Sequence, residues 1–492
     1  MHEVPVGVQA LERFVPLVGA EPVERLKKAA RALRERLGEN VIWNINSTAR
    51  GGGVAELLRP LVGYARGAGV DTRWMVIDAP PEFFRVTKRL HHAFHGSPGD
   101  GSPLDGRAHA IYEAGLRANA MALEGLIRHG DIVALHDPQV AGLAVPLAWM
   151  GARVVWRCHI GSDVPNPEVE KAWAFLSPYL RPVQRFVFTR AAFIAPEIPL
   201  ERTHIVPPTI DPFSTKNQDL TPEQVRAILA RAHLIAEGPE THGPPTFTRD
   251  DGTPGRVDRH ATVIRQGLPP PADRPLIVQV SRWDPLKDPV GVMHGFARLV
   301  PQLASPRPDL VLAAAEVSAV SDDPEGAYTF SEVVEAWGRL PDEVRRRVHL
   351  ANLPMQDPEE NGVMVNALQR HAAILVQKSL SEGFGLTVTE AMWKGRPVIA
   401  TATGGIRDQI EDGHSGLLLD DPNDLDRFAE LAIRVLRAPD LARDLGVNAH
   451  ETVRQRFLAF NSLVAWAQVV AGLVEAPVPI APARATFAPP PA

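Results

Sequence analysis

Residues 372–401, AAILVQKSLSEGFGLTVTEAMWKGRPVIAT, decide the architecture of this chain. A short apolar run, AAILV (372–376), leads to a turn around Gly383-Phe384-Gly385. A helical pattern carrying Val388, Met392 and Trp393 follows, and then a second apolar run, PVIAT (397–401). Short apolar strands alternating with helices predict a parallel sheet covered on both faces.

The same alternation extends to both sides. LIVQV (276–280), LVLAA (310–314) and RVHLA (347–351) read as strands of the same unit. An earlier series, Val41–Ile45, TRWMVI (72–77), DIVAL (131–135), RVVWRC (153–158) and RFVFT (185–189), predicts a second unit of the same α/β class. Residues 22–38 read as an exposed amphipathic helix ending at Gly38. The junction is expected near Val206–Pro212, where three prolines stop regular structure. These features divide the chain into 1–210, 211–450 and a Pro/Ala-rich tail, 476–492, expected to be disordered. The Gly- and Pro-rich stretch 236–272 is expected to be a long surface loop.

Composition narrows the function. The chain has 492 residues, enough for more than one core. A net charge of −6 disfavours a nucleic-acid partner held by bulk electrostatics. The single cysteine, Cys158, excludes an intramolecular disulfide and a cysteine-based zinc site. No apolar run is long enough to span a membrane, and the N-terminus lacks a secretory pattern, so the expected location is cytoplasmic.

Ligands of open α/β sheets bind beyond the carboxyl ends of the strands, so the residues there carry the chemistry. After Val41–Ile45 comes Gly51-Gly52-Gly53, which lets backbone approach a ligand closely. It is neither a G-x-G-x-x-G fingerprint, since position 56 is Glu56, nor a Walker A loop. After LIVQV come Arg282 and Lys287, two cations able to clamp a diphosphate. After AAILV, Glu382 and Glu390 flank a helix start whose amides can take phosphate while the carboxylates bind hydroxyls. His136-Asp137 and His159 follow two further strands and can meet a sugar hydroxyl or a reacting oxygen. The one D-x-D, Asp424-Leu425-Asp426, opens a helix, where capping explains it better than a metal.

The E-x7-E spacing of Glu382 and Glu390, together with SRWDPLK (281–287), resembles the retaining family-4 glycosyltransferases of the GT-B fold. NSTARGGGVAELL, FFRVTKRLHHAFHG (83–96), LHDPQ (135–139), WRCHI (156–160) and VPPTIDP (206–212) are similar to the branch of trehalose-forming synthases and retaining trehalose phosphorylases. The resemblance covers roughly residues 41 to 465, apart from 236–272. It implies two Rossmann-like doubly wound domains facing a cleft, with a C-terminal helix, about 451–475, crossing back to the first domain. It implies that Arg282 and Lys287 hold the donor diphosphate, and that Glu390 holds the ribose. Glu382 would contact the donor sugar, aided by the amides of Phe384, Gly385 and Leu386. Gly52 and Gly53 would close over the diphosphate, and His159 would lie beside the donor glucose. Lys88, His91, His136 and Asp137 are acceptor candidates.

The activity implied is a retaining hexosyltransferase joining glucose from ADP- or UDP-glucose to glucose as α,α-trehalose. The alternative is a trehalose phosphorylase using inorganic phosphate; a non-catalytic sugar- or nucleotide-binding protein is the reading from another class. The implied partners are small-molecule substrates, with no nucleic acid, no membrane and no metal or other cofactor; a homodimer is left open.

Overall fold

The structure, a computed structural model, describes residues 1–49, 53–316 and 324–475. Gly51, Gly52 and the tail 476–492 lie outside the described residues. The chain divides into two compact units, Met1–Thr209 with the chain from Ala459 onward, and Ile210–Leu458.

The first unit is built on a seven-stranded sheet, in the order β1-β3-β2-β4-β5-β6-β7. The strands are β1 (His2–Glu3), β2 (Ile42–Asn46), β3 (Thr72–Val76), β4 (Ile132–His136), β5 (Arg153–Cys158), β6 (Arg185–Phe188) and β7 (Thr203–Ile205). All neighbours are parallel except β1, which runs antiparallel to β3 at the edge. Successive side chains of a strand face opposite sides, and both sides are covered. Val133, Leu135, Val154 and Trp156 pack with Phe83, Tyr112, Phe175 and Leu176. Ile132, Ala134, Val155 and Val187 pack with Leu33 and Leu37 of the helix Ala20–Leu37 and with Val469, Val470 and Leu473 of the last helix. Burial on both faces is why these strands read as unbroken apolar runs.

The second unit repeats the plan in a seven-stranded sheet ordered β10-β13-β12-β11-β14-β15-β16. Its strands are β10 (Thr262–Ile264), β11 (Leu276–Val280), β12 (Asp309–Ala315), β13 (Val348–Leu353), β14 (Ile374–Gln377), β15 (Val398–Thr401) and β16 (Leu417–Leu419). A separate two-stranded sheet pairs β8 (Thr246–Thr248) with β9 (Pro254–Arg256).

Two expectations are corrected. The stretch 236–272 is not a surface loop. It holds the β8–β9 hairpin and the edge strand β10, which pairs antiparallel with β13. Its strands have only three residues each, too short for periodicity to show, and its hold on the unit is polar. Arg249 bonds Asp357 at 2.7 Å and Glu359 at 2.7 Å, and the buried Glu360 takes the Asp258 and Arg259 backbone N–H groups at 2.7 and 2.6 Å. The C-terminal helix is likewise not one element over 451–475. Residues Pro439–Arg456 form one helix, the buried pair Phe457-Leu458 breaks it, and Ala459–Val474 forms the next. The break coincides with a backbone bond from the Ile210 N–H to the Phe457 carbonyl at 2.8 Å. The chain therefore leaves the second unit beside the point where it enters.

Among its parallel strands, each sheet reverses its strand order once, between β2 and β4 in the first unit and between β11 and β14 in the second. Carboxyl ends at such reversals are where α/β sheets leave room for ligands.

Candidate functional site

The segments leaving β11 and β14 meet at the reversal of the second unit. Asp284 accepts from the Leu286 N–H at 2.9 Å, which shapes the turn Pro285–Lys287. The Leu380 N–H then donates to the Leu286 carbonyl at 2.8 Å, which ties the two segments together. Lys287 Nζ lies 2.6 Å from Glu382 Oε2, and Ser379 Oγ donates to the same oxygen at 3.2 Å. Arg282, on the same segment, is exposed and pairs with Asp284 at 3.0 Å.

Glycine geometry builds the rest of this corner. Gly385 takes φ +82° and caps the helix Leu386–Trp393. A Cβ on Gly404 would stand 1.7 Å from the Glu382 carbonyl oxygen, so the loop after β15 can approach only as glycine. Phe384 is buried, and its carbonyl accepts from Gln409 Nε2 at 2.5 Å. The first amides of the helix at Leu386 have no partner within it, which makes this end suited to an anion.

Glu390 sits farther along that helix, 3% exposed, with Lys216 Nζ 3.3 Å from its Oε1. Lys394 donates to the Lys216 carbonyl at 2.8 Å and to Asn217 Oδ1 at 2.6 Å. Burial holds its ammonium well below the ordinary lysine range. Trp393 Nε1 donates to the Asn217 carbonyl at 3.0 Å, so residues 216–217 brace the helix. Sequence reasoning missed Lys216; the signal was a lysine just beyond the proline-rich junction Val206–Pro212, away from any strand end.

In the first unit, β4 ends at His136 and β5 is followed by His159, and the structure brings them together. His136 Nδ1 is 3.0 Å from His159 Nε2, and His136 Nε2 is 3.1 Å from Asn44 Oδ1 on β2. Asp137 takes φ +67° and accepts from the His159 N–H at 2.7 Å. Burial lowers His136 to about 3 and raises Asp137 to about 7. Burial also holds His159 well below the ordinary histidine range. Both imidazoles are therefore neutral at neutral pH and suited to hydrogen bonding rather than to charge pairing. Asn44 was missed as well; its signal was a polar residue inside a buried strand.

Lys88 and His91 belong to the helix Pro81–Phe94, a separate element from the histidine pair. Lys88 is exposed, and the His91 ring stands 4.7 Å from that of His95. Gly53 opens the helix Gly53–Gly67 after β2. Asp424 caps the helix Leu425–Arg437 through the Arg427 N–H at 2.8 Å. Among the described residues, no group of three or more His, Cys, Asp or Glu side chains gathers as a metal site would require, and no helix is long and apolar enough to cross a membrane.

Comparison with known proteins places these corners in a family. Residues 44–195 match the model of the trehalose synthase N-terminal domain, and residues 358–452 that of glycosyl transferases group 1. Trehalose synthase of Pyrococcus horikoshii is 32% identical over 458 residues, covering 93% of this chain and 95% of the relative. That of Rubrobacter xylanophilus is 34% identical over 460 residues, 93% of this chain and 95% of the relative. Trehalose phosphorylase of Pleurotus pulmonarius is 28% identical over 443 residues, 86% of this chain and 55% of that longer protein. Sucrose-phosphate synthase from Thermosynechococcus elongatus shares the GT-B fold with a TM-score of 0.58 at 18% identity, over 88% of this chain and 99% of that one. Two doubly wound parallel-sheet units, with the E-x7-E carboxylates in the second, agree with these matches: the chain belongs to the trehalose synthase family of glycosyltransferases.

Proposed function

We propose that this enzyme transfers glucose from a nucleoside-diphosphate glucose, ADP- or UDP-glucose, to glucose with retention, forming α,α-trehalose. The observation that carries the reading is the Lys287–Glu382 pair beside the helix start at Gly385, at the strand-order reversal of the second unit. There a cation and helix amides offer anion contacts next to a carboxylate that can take sugar hydroxyls.

In the proposed reaction the bond from the sugar C1 to the diphosphate oxygen breaks. A bond from C1 to the acceptor hydroxyl oxygen forms on the same face, and the acceptor proton passes to the departing phosphate. Lys287, Arg282 and the first amides of Leu386–Trp393 stabilise the charge on that phosphate, which is the main electrostatic contribution. Glu390 holds the ribose hydroxyls. His159 meets the transferred sugar, with Asp137 and His136 around it, and Lys88 and His91 serve the acceptor. No metal takes part in this scheme.

Phosphorolysis of trehalose is the second reading, favoured by the similarity to the Pleurotus pulmonarius phosphorylase. The same cations would then hold inorganic phosphate. Incubation with ADP-glucose or UDP-glucose plus glucose, and separately with trehalose plus phosphate, distinguishes the two by product. Trehalose and nucleoside diphosphate are expected. Glucose 1-phosphate formed from trehalose and phosphate, with no use of either nucleotide sugar, would overturn the leading reading.

A further inference from the structure

Asn44 is an amide in the middle of β2, 3% exposed among apolar neighbours. A polar group buried this way costs stability unless it is bonded. Its Nδ2 donates to the Arg73 carbonyl at 3.5 Å, and its Oδ1 faces His136 Nε2 at 3.1 Å. A carbonyl only accepts, so the amide nitrogen must be the atom facing Arg73 and the oxygen the atom facing the ring.

The consequences propagate along the pair of rings. His136 Nε2 must carry a proton to bond that oxygen. A neutral imidazole has one N–H, so His136 Nδ1 is an acceptor. At 3.0 Å from it, His159 Nε2 is therefore the donor. His159 Nδ1 is left without a proton, and it is buried with no hydrogen-bond partner. Both rings stay neutral because burial and the nearby Arg157 disfavour the imidazolium. Asp137 does not compete for the ring, since its carboxylate takes the His159 backbone N–H. The His136 ring also lies 6.3 Å from the Trp466 ring, centroid to centroid.

We infer that Asn44 is a positioning residue: through His136 it holds the His159 ring, protonated at Nε2 and bare at Nδ1, in the orientation in which it meets the transferred sugar. The inference rests on the reading above that His159 meets that sugar. Asn44 itself touches no substrate; it acts by fixing where a proton sits two rings away.

The test is a 15N spectrum of the full chain labelled in its histidine rings, recorded at neutral pH without substrate and assigned with His136→Gln and His159→Gln. His159 is expected to show an unprotonated Nδ1 and a protonated Nε2. In Asn44→Leu the two tautomers should mix, and kcat/KM for the nucleotide-glucose should fall at least tenfold. Asn44→Asp, whose carboxylate also accepts from His136 Nε2, should keep the tautomer and recover part of the rate. A protonated Nδ1 in the wild type would overturn the inference even if Asn44→Leu does not fold. So would an unchanged tautomer in a folded Asn44→Leu. The spectrum needs no turnover, so failure of the proposed reaction would appear as missing products with the tautomer intact.

Discussion

Lys287 Nζ lies 2.6 Å from Glu382 Oε2 across 95 residues of sequence, and the pair joins the segment leaving β11 to the segment leaving β14. Both side chains are largely buried, 16% and 12% exposed. The lysine thus holds the carboxylate in place while keeping donors for a phosphate. One cation serves both the local structure and the proposed chemistry.

Lys287→Met and Arg282→Ala are each expected to raise the barrier to glucosyl transfer by about 2–4 kcal/mol, the usual loss when one donor to a developing oxyanion is removed. Their stabilities should differ. Arg282 is exposed, so its removal leaves Tm unchanged, whereas Lys287→Met strands the buried Glu382 carboxylate and lowers Tm. Wild-type kcat/KM in both folded variants would remove the clamp assignment.

Glu390→Gln keeps the size of the side chain but loses the charge beside Lys216. Charge-assisted bonds to ribose hydroxyls contribute about 1.5–3 kcal/mol each. Affinity for the nucleotide sugar, measured by calorimetry, is expected to weaken by about an order of magnitude or more. Affinity for inorganic phosphate should not change, because phosphate has no ribose.

A chelator is expected to leave turnover unchanged. Asp424, the leading residue of the D-x-D, spends its carboxylate on the Arg427 N–H. Rates with and without EDTA, followed by addition of a divalent cation, check this; loss and metal-dependent recovery would contradict it.

Burial raises Asp137 to about 7 from an ordinary 3.8. Between those values the folded chain keeps a proton that the unfolded chain has released. The stability from this group is therefore complete below about pH 4 and lost as pH rises through about 7. Asp137→Asn keeps the acceptor for the His159 N–H without this loss. Its unfolding free energy relative to wild type should rise from about pH 4 to about pH 7, at up to ~1.4 kcal/mol per pH unit, and level off above that. His136, lowered to about 3, acts in the opposite sense, contributing stability that is lost as pH falls below about 6.5. That effect is common to both chains and cancels in the difference.

Glu360→Ala should loosen the stretch around β8–β10. Glu360 is 1% exposed and accepts the backbone N–H groups of Asp258 and Arg259 as well as the Arg259 guanidinium. Leaving such donors unpaired costs about 1–3 kcal/mol each. Hydrogen exchange should accelerate over residues 246–264 while the strands β11–β14 stay protected.

The sequence alone determined the central strands and the residues at their carboxyl ends; the strand order, and with it the reversal corners, came from the tertiary structure. Strands buried on both faces are continuous apolar runs, and glycines and charges at their carboxyl ends stand out against them. Arg282, Lys287, Glu382, His136 and His159 were legible for that reason. The edge strands β1, β7, β10 and β16 were not. With two or three residues each, they take their conformation from the neighbouring strand rather than from their own pattern. Only the tertiary structure decided which partners the site residues have. Lys287 with Glu382, Lys216 with Glu390, Asn44 with His136, and His136 with His159 are contacts between residues 23 to 174 positions apart. Local periodicity cannot encode such pairs, because they exist only once parallel crossovers have set the ends of distant strands side by side.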